Sequence, residues 1–338
     1  MTTMHVAAPV DPALPMLEAA LDPDRATWSM TTVKAFAGAL VRVQDARLAR
    51  LKPGRRAVIE YDLSVAWPDG RHEDLTAIGK MRAHRHPRTG YRLLREFWRR
   101  GFSSTSSDFI SVPEPIGVVP ALGLWLQRKV PGWVATDLLV TPAGVPLARR
   151  IADAARKVHL AAVPTQRAHG PAEEMAILAR VLALVAEAEP PWRRRIVALA
   201  AGCRQLATQV TGPATGIHRD FYADQIVVDG PRLYLLDFDL YCAGPAALDI
   251  GNFGGHLAEQ QVREPQHAGA LATAEFALEA HYVAHAGEAS RTSVRVCSAL
   301  TLARHVYLSS VVPGRAASTA QVLDLASTRV EALLDELA

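Results

Sequence analysis

The sequence predicts an α+β fold of two lobes, in which a small antiparallel β-rich lobe precedes a large, mainly helical one. Three strand-like runs separated by Pro/Gly turns lie between Val41 and Met81, whereas helical periodicity dominates after Gly132. The chain of 338 residues is long enough for two domains or for one two-lobed domain. The expected parts are an N-terminal lobe over 1–126 with a leader at 1–30, a connector over 127–132, and a C-terminal lobe over 133–338.

The first lobe is predicted from its turns. Val41–Leu51 leads into the turn Lys52-Pro53-Gly54-Arg55, and Ala57–Ala66 alternates between apolar and polar residues up to Pro68-Asp69-Gly70. Together with Leu75–Met81 these runs form an antiparallel meander. Further elements follow in order: a short helix around Leu17–Leu21 in the leader, an amphipathic helix at Tyr91–Arg100, and strands near Ile116–Val119 and Gly123–Gln127.

The second lobe is predicted to be helical, broken only by two short strands around Ile226–Val228 and Tyr234–Asp237. The turn Asp229-Gly230-Pro231 joins those strands into a hairpin. The predicted helices are Leu147–Leu160, Ala172–Ala188, Trp192–Val210, Ala247–Ala258, Ala270–Ala284, Ser293–Leu308 and Thr319–Leu337.

The composition is that of an ordinary soluble globular protein, with 49% hydrophobic and 21% charged residues. No apolar run reaches the roughly 18–20 residues that span a membrane, and the N-terminal stretch lacks the basic region of a signal peptide. Cys203, Cys242 and Cys297 are odd in number and form no CxxC pair, which argues against zinc and against a disulfide framework. We therefore expect a cytoplasmic protein without a membrane partner.

The charge is distributed unevenly. Residues 1–132 carry 19 Lys/Arg against 13 Asp/Glu, and residues 133–338 carry 18 against 21. A basic first part and a mildly acidic second part suit a protein that holds a polyphosphate, although arginine-rich surfaces can equally serve solubility. The net charge of +3 is too small to indicate a nucleic-acid partner.

Two aspartates carry the strongest chemical signal. Asp220 and Asp237 lie seventeen residues apart, and the predicted hairpin between them brings both carboxylates to one edge. In phosphoryl transfer, one such carboxylate accepts the proton of the attacking hydroxyl, and the other ligates the magnesium of the nucleotide. The alternative is that both are turn or cap residues.

The stretch HRDFYADQ, followed by LLDFD and GPAALD, resembles the aminoglycoside phosphotransferase and choline kinase family, a branch of the protein-kinase-like fold. His218, Asp220, Asp237, Gly244-Pro245 and Asp249 match the family pattern. The resemblance implies that Asp220 is the catalytic base and Asp237 the magnesium ligand. His218 and Asp249 would be structural, with Asp249 bracing the catalytic loop through backbone amides. By itself, Asp249 could be a first-turn acid or a local cap of a helix.

Gln225 departs from the family pattern, which has asparagine here as a second metal ligand. Glutamine offers the same oxygen one methylene further out, and Asp224 lies beside it. Three alternatives remain open for the metal site: Gln225 is a ligand, the site holds one metal well, or the enzyme is impaired. Asp239 is a further candidate for the metal, or else a solvated loop acid.

The resemblance also implies nucleotide-binding residues in the first lobe. Lys80, at the end of the third predicted strand, would hold the α- and β-phosphates, and Glu96 would be its ion-pair acid. Gly54 would lie in the loop that covers the nucleotide. On the residues alone, Lys80 could be a surface lysine, Glu96 could pair with neighbouring arginines, and Gly54 could belong to a plain hairpin turn.

The connector resembles the family's hinge, in which backbone groups pair with the adenine edge. These groups would belong to Gln127, Arg128, Lys129 and Val130. His159 matches a histidine common in the family, but a single histidine on an apolar helix is more often a satisfied core residue.

These residues lead to the hypothesis of a kinase that uses ATP and Mg²⁺ to phosphorylate a hydroxyl of a small molecule, such as an aminoglycoside, a sugar or an amino alcohol. A protein acceptor is disfavoured because Asp249 follows Asp237 by only twelve residues, which leaves no room for an activation segment. The alternatives are a nucleotide-binding pseudokinase, in which Gln225 impairs the metal site, and a polyanion binder that uses the arginine-rich segment 82–100. Four acids of the late helices either attract a cationic acceptor or form solvated faces: Glu259, Glu264, Glu275 and Glu279.

Overall fold

The computed structural model describes residues 10–338, and the chain divides into two compact units, one ending at Pro131 and the other covering Gly132–Ala338. The first unit is built on an antiparallel sheet and the second is mainly helical, which confirms the predicted α+β class. No helix within the described range is both long enough and apolar enough to cross a membrane.

The described part of the first unit contains six strands: β1 Leu40–Lys52, β2 Arg56–Ala66, β3 His72–Arg82, β4 Ile110–Ser111, β5 Pro115–Val119 and β6 Leu124–Arg128. Five of them form one sheet in the order β1-β2-β3-β6-β5, with every neighbouring pair antiparallel. The predicted meander and the two later strands are therefore confirmed. The third strand begins at His72, three residues earlier than the sequence pattern indicated.

Two of the helices of the first unit cover one face of this sheet. The helices of the first unit are α1 Leu17–Leu21, α2 Pro23–Met30 and α3 Arg88–Phe97. Asp22 caps α2 by accepting hydrogen bonds from the amides of Asp24 and Arg25. The apolar residues of α1 and α2 belong to the same buried core as the inward side chains of β2, which alternate along the strand. Residues 1–9 of the predicted leader lie outside the described residues.

Tyr61 is the largest side chain in that core, and two contacts fix its place. Its hydroxyl donates to the carbonyl of Ala20 at 2.7 Å. Its ring lies over Gly79 on the neighbouring strand, where an added Cβ would come within 2.7 Å of the ring. Gly79 therefore keeps space for the aromatic ring, and burial raises the pKa of the Tyr61 hydroxyl.

The second unit contains eight described helices: α4 Ala135–Leu139, α5 Gly144–Leu160, α6 Pro171–Ala188, α7 Arg193–Ala207, α8 Ala247–Arg263, α9 Ala268–Ala286, α10 Ser290–Val311 and α11 Thr319–Glu336. Its described strands are β7 Trp133–Val134, β8 Ala214–Ile217, β9 Ile226–Asp229, β10 Arg232–Leu235 and β11 Cys242–Pro245. All seven predicted helices are present, with ends shifted by a few residues. Strand β9 pairs with β10 and β7, and β8 pairs with β11.

The expectation of only two strands in this unit was wrong. Strands β7, β8 and β11 have two to four residues each, too few for an alternating pattern to be read. The pairing of β8 with β11 joins residues such as Ile217 and Cys242, which are distant in sequence. Tertiary pairing, not local propensity, makes these segments strands.

Close packing of α8 against α10 forms the centre of the second unit. At Gly251 an added Cβ would come within 2.3 Å of the Cβ of Cys297, and at Gly255 within 2.7 Å of Thr301. These glycines let the two helix backbones approach each other. Helix α8 begins two residues before Asp249, so this packing also fixes the position of that acid.

Candidate active site

The loop between β8 and β9 carries His218, Asp220 and Gln225, and it is tied directly to the segment that ends in Asp237. Both backbone polar groups of Leu236 form hydrogen bonds with the loop. Its carbonyl accepts from the His218 Nε2–H at 2.7 Å, and its N–H donates to the Gln225 carbonyl at 2.8 Å. The hairpin β9–β10 thus returns Asp237 to the loop that carries Asp220.

His218 is held in place as a hydrogen-bond donor. Its Nε2 faces a carbonyl and must carry the hydrogen, while the buried Nδ1 has no hydrogen-bond partner among the described residues. The ring contacts Phe238 at 4.6 Å and Phe221 at 5.7 Å between centroids. The imidazole is therefore packed between aromatic rings, and its hydrogen bond orients the backbone of Leu236.

Asp249 is buried completely and accepts three hydrogen bonds. Its Oδ2 accepts from the His218 amide at 2.8 Å and from the His159 Nε2 at 2.9 Å, and its Oδ1 accepts from the Arg219 amide at 2.6 Å. Amide and imidazole donors to a carboxylate in a dry interior are strong, and they offset the cost of burying its charge. His159 is accordingly a buried histidine whose partner is this carboxylate.

Backbone strain is concentrated at two residues of this region. Arg219 has φ 69° and Asp237 has φ 54° and ψ 62°, a left-handed conformation that is unfavourable for residues other than glycine. Such residues persist only where the surroundings fix them, and they cluster at functional sites. At Asp237 the two backbone hydrogen bonds of the preceding Leu236 hold the chain, and at Arg219 the Asp249 carboxylate binds the amide.

Gln225 is buried beside Asp220, and its amide is oriented. The Nε2 group donates to the Tyr222 hydroxyl at 3.3 Å and lies 3.5 Å from the Asp220 Oδ2. Since an ionised carboxylate only accepts hydrogen bonds, the amide nitrogen must face Asp220. Tyr222 is in turn stacked on His256, at 4.5 Å between ring centroids.

The donor set of this region fits Mg²⁺. Asp220, Asp237, Asp239 and Gln225 offer carboxylate and amide oxygens, the ligands that this ion prefers. The backbone carbonyl of Asp239 accepts from Arg167 at 2.6 Å, which anchors the turn after Asp237. Asp224 has a different environment, because it is exposed and accepts from the Thr136 hydroxyl.

A second layer of polar residues supports the loop, and the sequence did not indicate it. The Asn252 Nδ2 donates to the Phe221 carbonyl at 2.9 Å, and its Oδ1 accepts from Arg304 at 2.7 Å. Arg304 also binds Glu174 at 2.9 Å, and Glu174 binds the His169 Nε2 at 2.8 Å. The one signal available in the sequence was Asn252, three residues after Asp249 on the same helix.

Glu174 stays ionised in this layer although it is buried. Burial alone would raise its pKa, but the hydrogen bond from His169 and the charge of Arg304 lower the pKa below its ordinary value. The resulting chain of contacts runs from α6 through α10 to α8 and ends on the backbone of the loop between β8 and β9.

In the first unit, Lys80 and Glu96 lie on β3 and α3. The Lys80 ammonium lies over the ring of Trp125, 5.4 Å from the centroid. The Glu96 carboxylate is 3.7 Å from Arg99, one turn along the same helix, and the Glu96 side chain is 39% exposed.

Gly54 lies in the turn between β1 and β2 with φ 69°, and an added Cβ there would contact nothing within 4 Å. Its amide donates to the Asp11 Oδ2 at 2.8 Å. Asp11 was not indicated by the sequence, and it satisfies this amide from a segment 43 residues away.

The backbone of the predicted hinge segment takes part in the sheet. The Arg128 amide donates to the Glu114 carbonyl and the Lys129 amide to the Thr76 carbonyl, each at 2.9 Å. The Arg128 side chain bridges Glu73 and Glu114, and the Lys129 side chain binds Glu60. Gln127 is buried in β6, and Val130 follows the strand.

The four late acids all have arginine partners. Glu275 binds Arg329, Glu279 binds Arg291 and Arg295, and both acids line a cavity of about 280 Å³. Glu259 contacts Arg263 and Arg315, and Glu264 binds Arg263. Glu259 is only 2% exposed, so the reading of these acids as plain solvated faces was wrong for it. With arginines on all four, their charge is largely neutralised within the second unit.

Comparison with solved structures shows the fold of this chain. A choline/ethanolamine kinase family protein from Mesorhizobium loti has 19% identity and a TM-score of 0.58, with 92% of this chain and 94% of that chain covered. A spectinomycin phosphotransferase solved with ADP and spectinomycin has 10% identity and a TM-score of 0.58, with 92% and 98% covered. A glucosamine kinase solved with glucosamine, ADP and inorganic phosphate has 18% identity and a TM-score of 0.58, with 89% and 84% covered.

These likenesses confirm the predicted protein-kinase-like fold. No curated protein sequence gives a significant match. The family model described as the phosphotransferase enzyme family matches residues 91–287, which is more than half of the chain. The match confirms both the resemblance drawn from the residues around His218–Asp249 and the prediction of a phosphotransferase. The chain belongs to the phosphotransferase enzyme family.

Proposed function

We propose that the protein is an ATP-dependent kinase that transfers the γ-phosphate to a hydroxyl of a small molecule. The observation that carries the proposal is the bracing of the catalytic loop. Asp249 binds the amides at the start of the loop, and the Leu236 peptide ties the loop to Asp237. Phosphoryl transfer depends mainly on such fixed positioning of carboxylates.

In this proposal Asp220 is the catalytic base. Its carboxylate would orient the acceptor hydroxyl and accept its proton as the oxygen attacks the phosphorus. Gln225 lies 3.5 Å from Asp220 and limits the orientations of that carboxylate. His218 and Asp249 hold the backbone on which Asp220 stands, and they act as positioning residues.

Asp237 is the proposed principal magnesium ligand, with Gln225 and Asp239 as further oxygen donors. When bound, Mg²⁺ would neutralise charge on the nucleotide phosphates. The left-handed backbone of Asp237 supports this role, because the fold maintains a strained conformation at the residue that carries the ligand.

We assign nucleotide contacts in the first unit to Lys80 and to the glycine turn at Gly54. Two solved relatives of the same fold carry ADP, which supports ATP as the phosphate donor. Since the amides of Arg128 and Lys129 are used in the sheet, we propose that adenine pairs with other backbone groups of the Gln127–Val130 segment.

The proposed acceptor is a small hydroxyl compound. Spectinomycin and glucosamine are bound in two of the solved relatives, and a third belongs to the choline/ethanolamine kinase family. The short segment from Asp237 to Asp249 also leaves no room for the activation segment of a protein kinase. An amino sugar, an aminocyclitol antibiotic or an amino alcohol is therefore the class to test first.

The test is ATP turnover with Mg²⁺ against a panel of these acceptors, with wild type and Asp220→Ala compared. Loss of a catalytic base should lower kcat by roughly 10²–10⁴-fold. Asp229→Ala is the matched control, because Asp229 is an exposed acid in the turn of the neighbouring hairpin, and it should leave turnover unchanged. The proposal fails if no acceptor raises turnover above the Asp220→Ala background.

A nucleotide-binding pseudokinase is the second candidate, and the observation that favours it is Gln225. In that case Mg-ATP would raise the melting temperature while no acceptor supported turnover. Gln225→Asn separates the two functions. In an active kinase it should shift the Mg²⁺ dependence of kcat, because the amide oxygen is withdrawn by one methylene, whereas in a pseudokinase it should raise turnover from the background.

A further inference from the structure

Outside the catalytic region, one cluster of side chains in the second unit has the chemistry of a transition-metal site. Asp153 lies on α5, and His281 and His285 lie one turn apart on α9. Their ligand atoms all lie within 4.8 Å of one another, and this is the one such group of three acidic, histidine or cysteine side chains among residues 10–338. The spacing of the cysteines disfavours a zinc site, but this pair of histidines offers a different set of ligands.

The hydrogen bonds within the cluster prepare its donor atoms. The His285 Nδ1 donates to the His281 carbonyl at 2.8 Å, so Nδ1 carries the hydrogen and Nε2 carries a lone pair. A histidine that ligates a metal usually donates its other ring N–H to a carbonyl or carboxylate in this way. The His281 Nε2–H donates to the Asp153 Oδ1 at 2.8 Å, and a metal ion would take the place of the hydrogen between these two atoms.

We propose that Asp153, His281 and His285 bind a divalent transition-metal ion, with Zn²⁺ as the best match. Two imidazoles and one carboxylate are a borderline-soft donor set that favours Zn²⁺ over Mg²⁺. Tetrahedral ligation at about 2.0–2.1 Å places donor atoms roughly 3.3 Å apart. The observed spacings reach that value by small rotations of side chains that are not tightly packed, since Asp153 is 45% and His281 25% exposed.

The position of the cluster favours a cation. His281 and His285 lie near the C-terminal end of α9, where the helix dipole is negative. The three ligands leave a fourth position for water, as in open zinc sites. The ion would link α5 to α9 close to the brace of the catalytic loop, because Tyr282 on α9 packs edge-on against His159, 6.1 Å between centroids, and His159 binds Asp249.

The experiment is a calorimetric Zn²⁺ titration of the full chain in excess Mg²⁺, which occupies oxygen-rich sites, at a pH where imidazoles are neutral. All three cysteines are buried and do not compete in the folded protein. Wild type should bind one Zn²⁺ that Mg²⁺ does not displace. Zinc at 100-fold above Kd should raise the melting temperature by about 4–6 °C.

His281→Ala and His285→Ala should each weaken this binding by at least about 100-fold, because even partners of ligands change metal affinity by 10–100-fold. His285 is exposed, so His285→Ala keeps the fold even if His281→Ala does not. His267→Ala is the matched control, because His267 just precedes α9 and lies outside the cluster, and it should bind Zn²⁺ as wild type does. The proposal would be overturned if the wild type bound no Zn²⁺. It would also be overturned if His285→Ala bound Zn²⁺ as tightly as the wild type.

Discussion

The family resemblance assigned supporting roles to two acids, Asp249 in the second unit as a brace of the loop and Glu96 in the first as the ion-pair partner of Lys80, and their surroundings differ sharply. Asp249 is fully buried and accepts two backbone amides and one imidazole. Glu96 is 39% exposed and has Arg99 at 3.7 Å. A buried carboxylate with three donors fixes a backbone, whereas an exposed pair contributes little and can rearrange.

The same contrast holds for other polar clusters of the two units. Behind the loop between β8 and β9, Asn252, Arg304 and Glu174 form a partly buried chain of hydrogen bonds. On the sheet of the first unit, Arg47 binds Glu60 and two aspartates at an exposed surface. We call the buried contacts of Asp249 in the second unit the rigid part, and the exposed pair of Glu96 in the first unit the adjustable part.

The largest expected effect tests the rigid part. Asp249→Ala leaves two amides and the His159 imidazole without their buried acceptor, so we expect a loss of about 3–5 kcal/mol in the free energy of unfolding. Urea denaturation of the full chain measures it. Asp229→Ala, which removes an exposed acid in a turn, should stay within about 0.5 kcal/mol of wild type. Equal stability of the two variants would contradict the bracing role.

A smaller effect depends on pH and belongs to the second unit. His305 is completely buried on α10 against His256, which stacks on Tyr222 of the loop between β8 and β9. Burial, followed by the charges of nearby arginines, lowers the pKa of His305 to about 3. Because the folded pKa lies below the unfolded value of about 6.5, the unfolded state gains the proton first, and stability is lost as pH falls from about 6.5 to 3.

His305→Leu removes this proton linkage. At pH 8 the free energies of unfolding of variant and wild type should be similar, whereas at pH 5 the variant should be relatively more stable by about 2 kcal/mol. Denaturation at both pH values measures the difference, with His267→Leu, at a less buried histidine, as control. Parallel pH profiles for His305→Leu and wild type would show that His305 does not cause the loss.

The smallest expected effect tests the adjustable part. Glu96→Gln should change the free energy of unfolding by no more than about 0.5 kcal/mol, because the Glu96–Arg99 pair is exposed. If Glu96 is the partner of Lys80 when nucleotide binds, the KM for ATP should rise while stability is unchanged. A loss of stability like that of Asp249→Ala would remove the contrast between the two units.

Local patterns were sufficient for the meander, for the hairpin β9–β10 and for all seven helices predicted in the second unit. Pro/Gly turns and alternation specify these elements within short windows of sequence. They were insufficient for β8 and β11, which pair across more than twenty residues. They also could not identify Glu174 and Arg304, because a polar residue on a helix face looks the same whether it meets water or a buried partner.

The sequence by itself determined the α+β class and the order of the elements, and it indicated Asp220, Asp237 and Asp249 through their spacing along one motif. Only the tertiary structure decided how that motif is held. The amides bound by Asp249, the left-handed backbone of Asp237 and the orientation of the Gln225 amide all depend on groups brought together from distant segments. Such contacts depend on burial and on the geometry of hydrogen bonds, which no local pattern records.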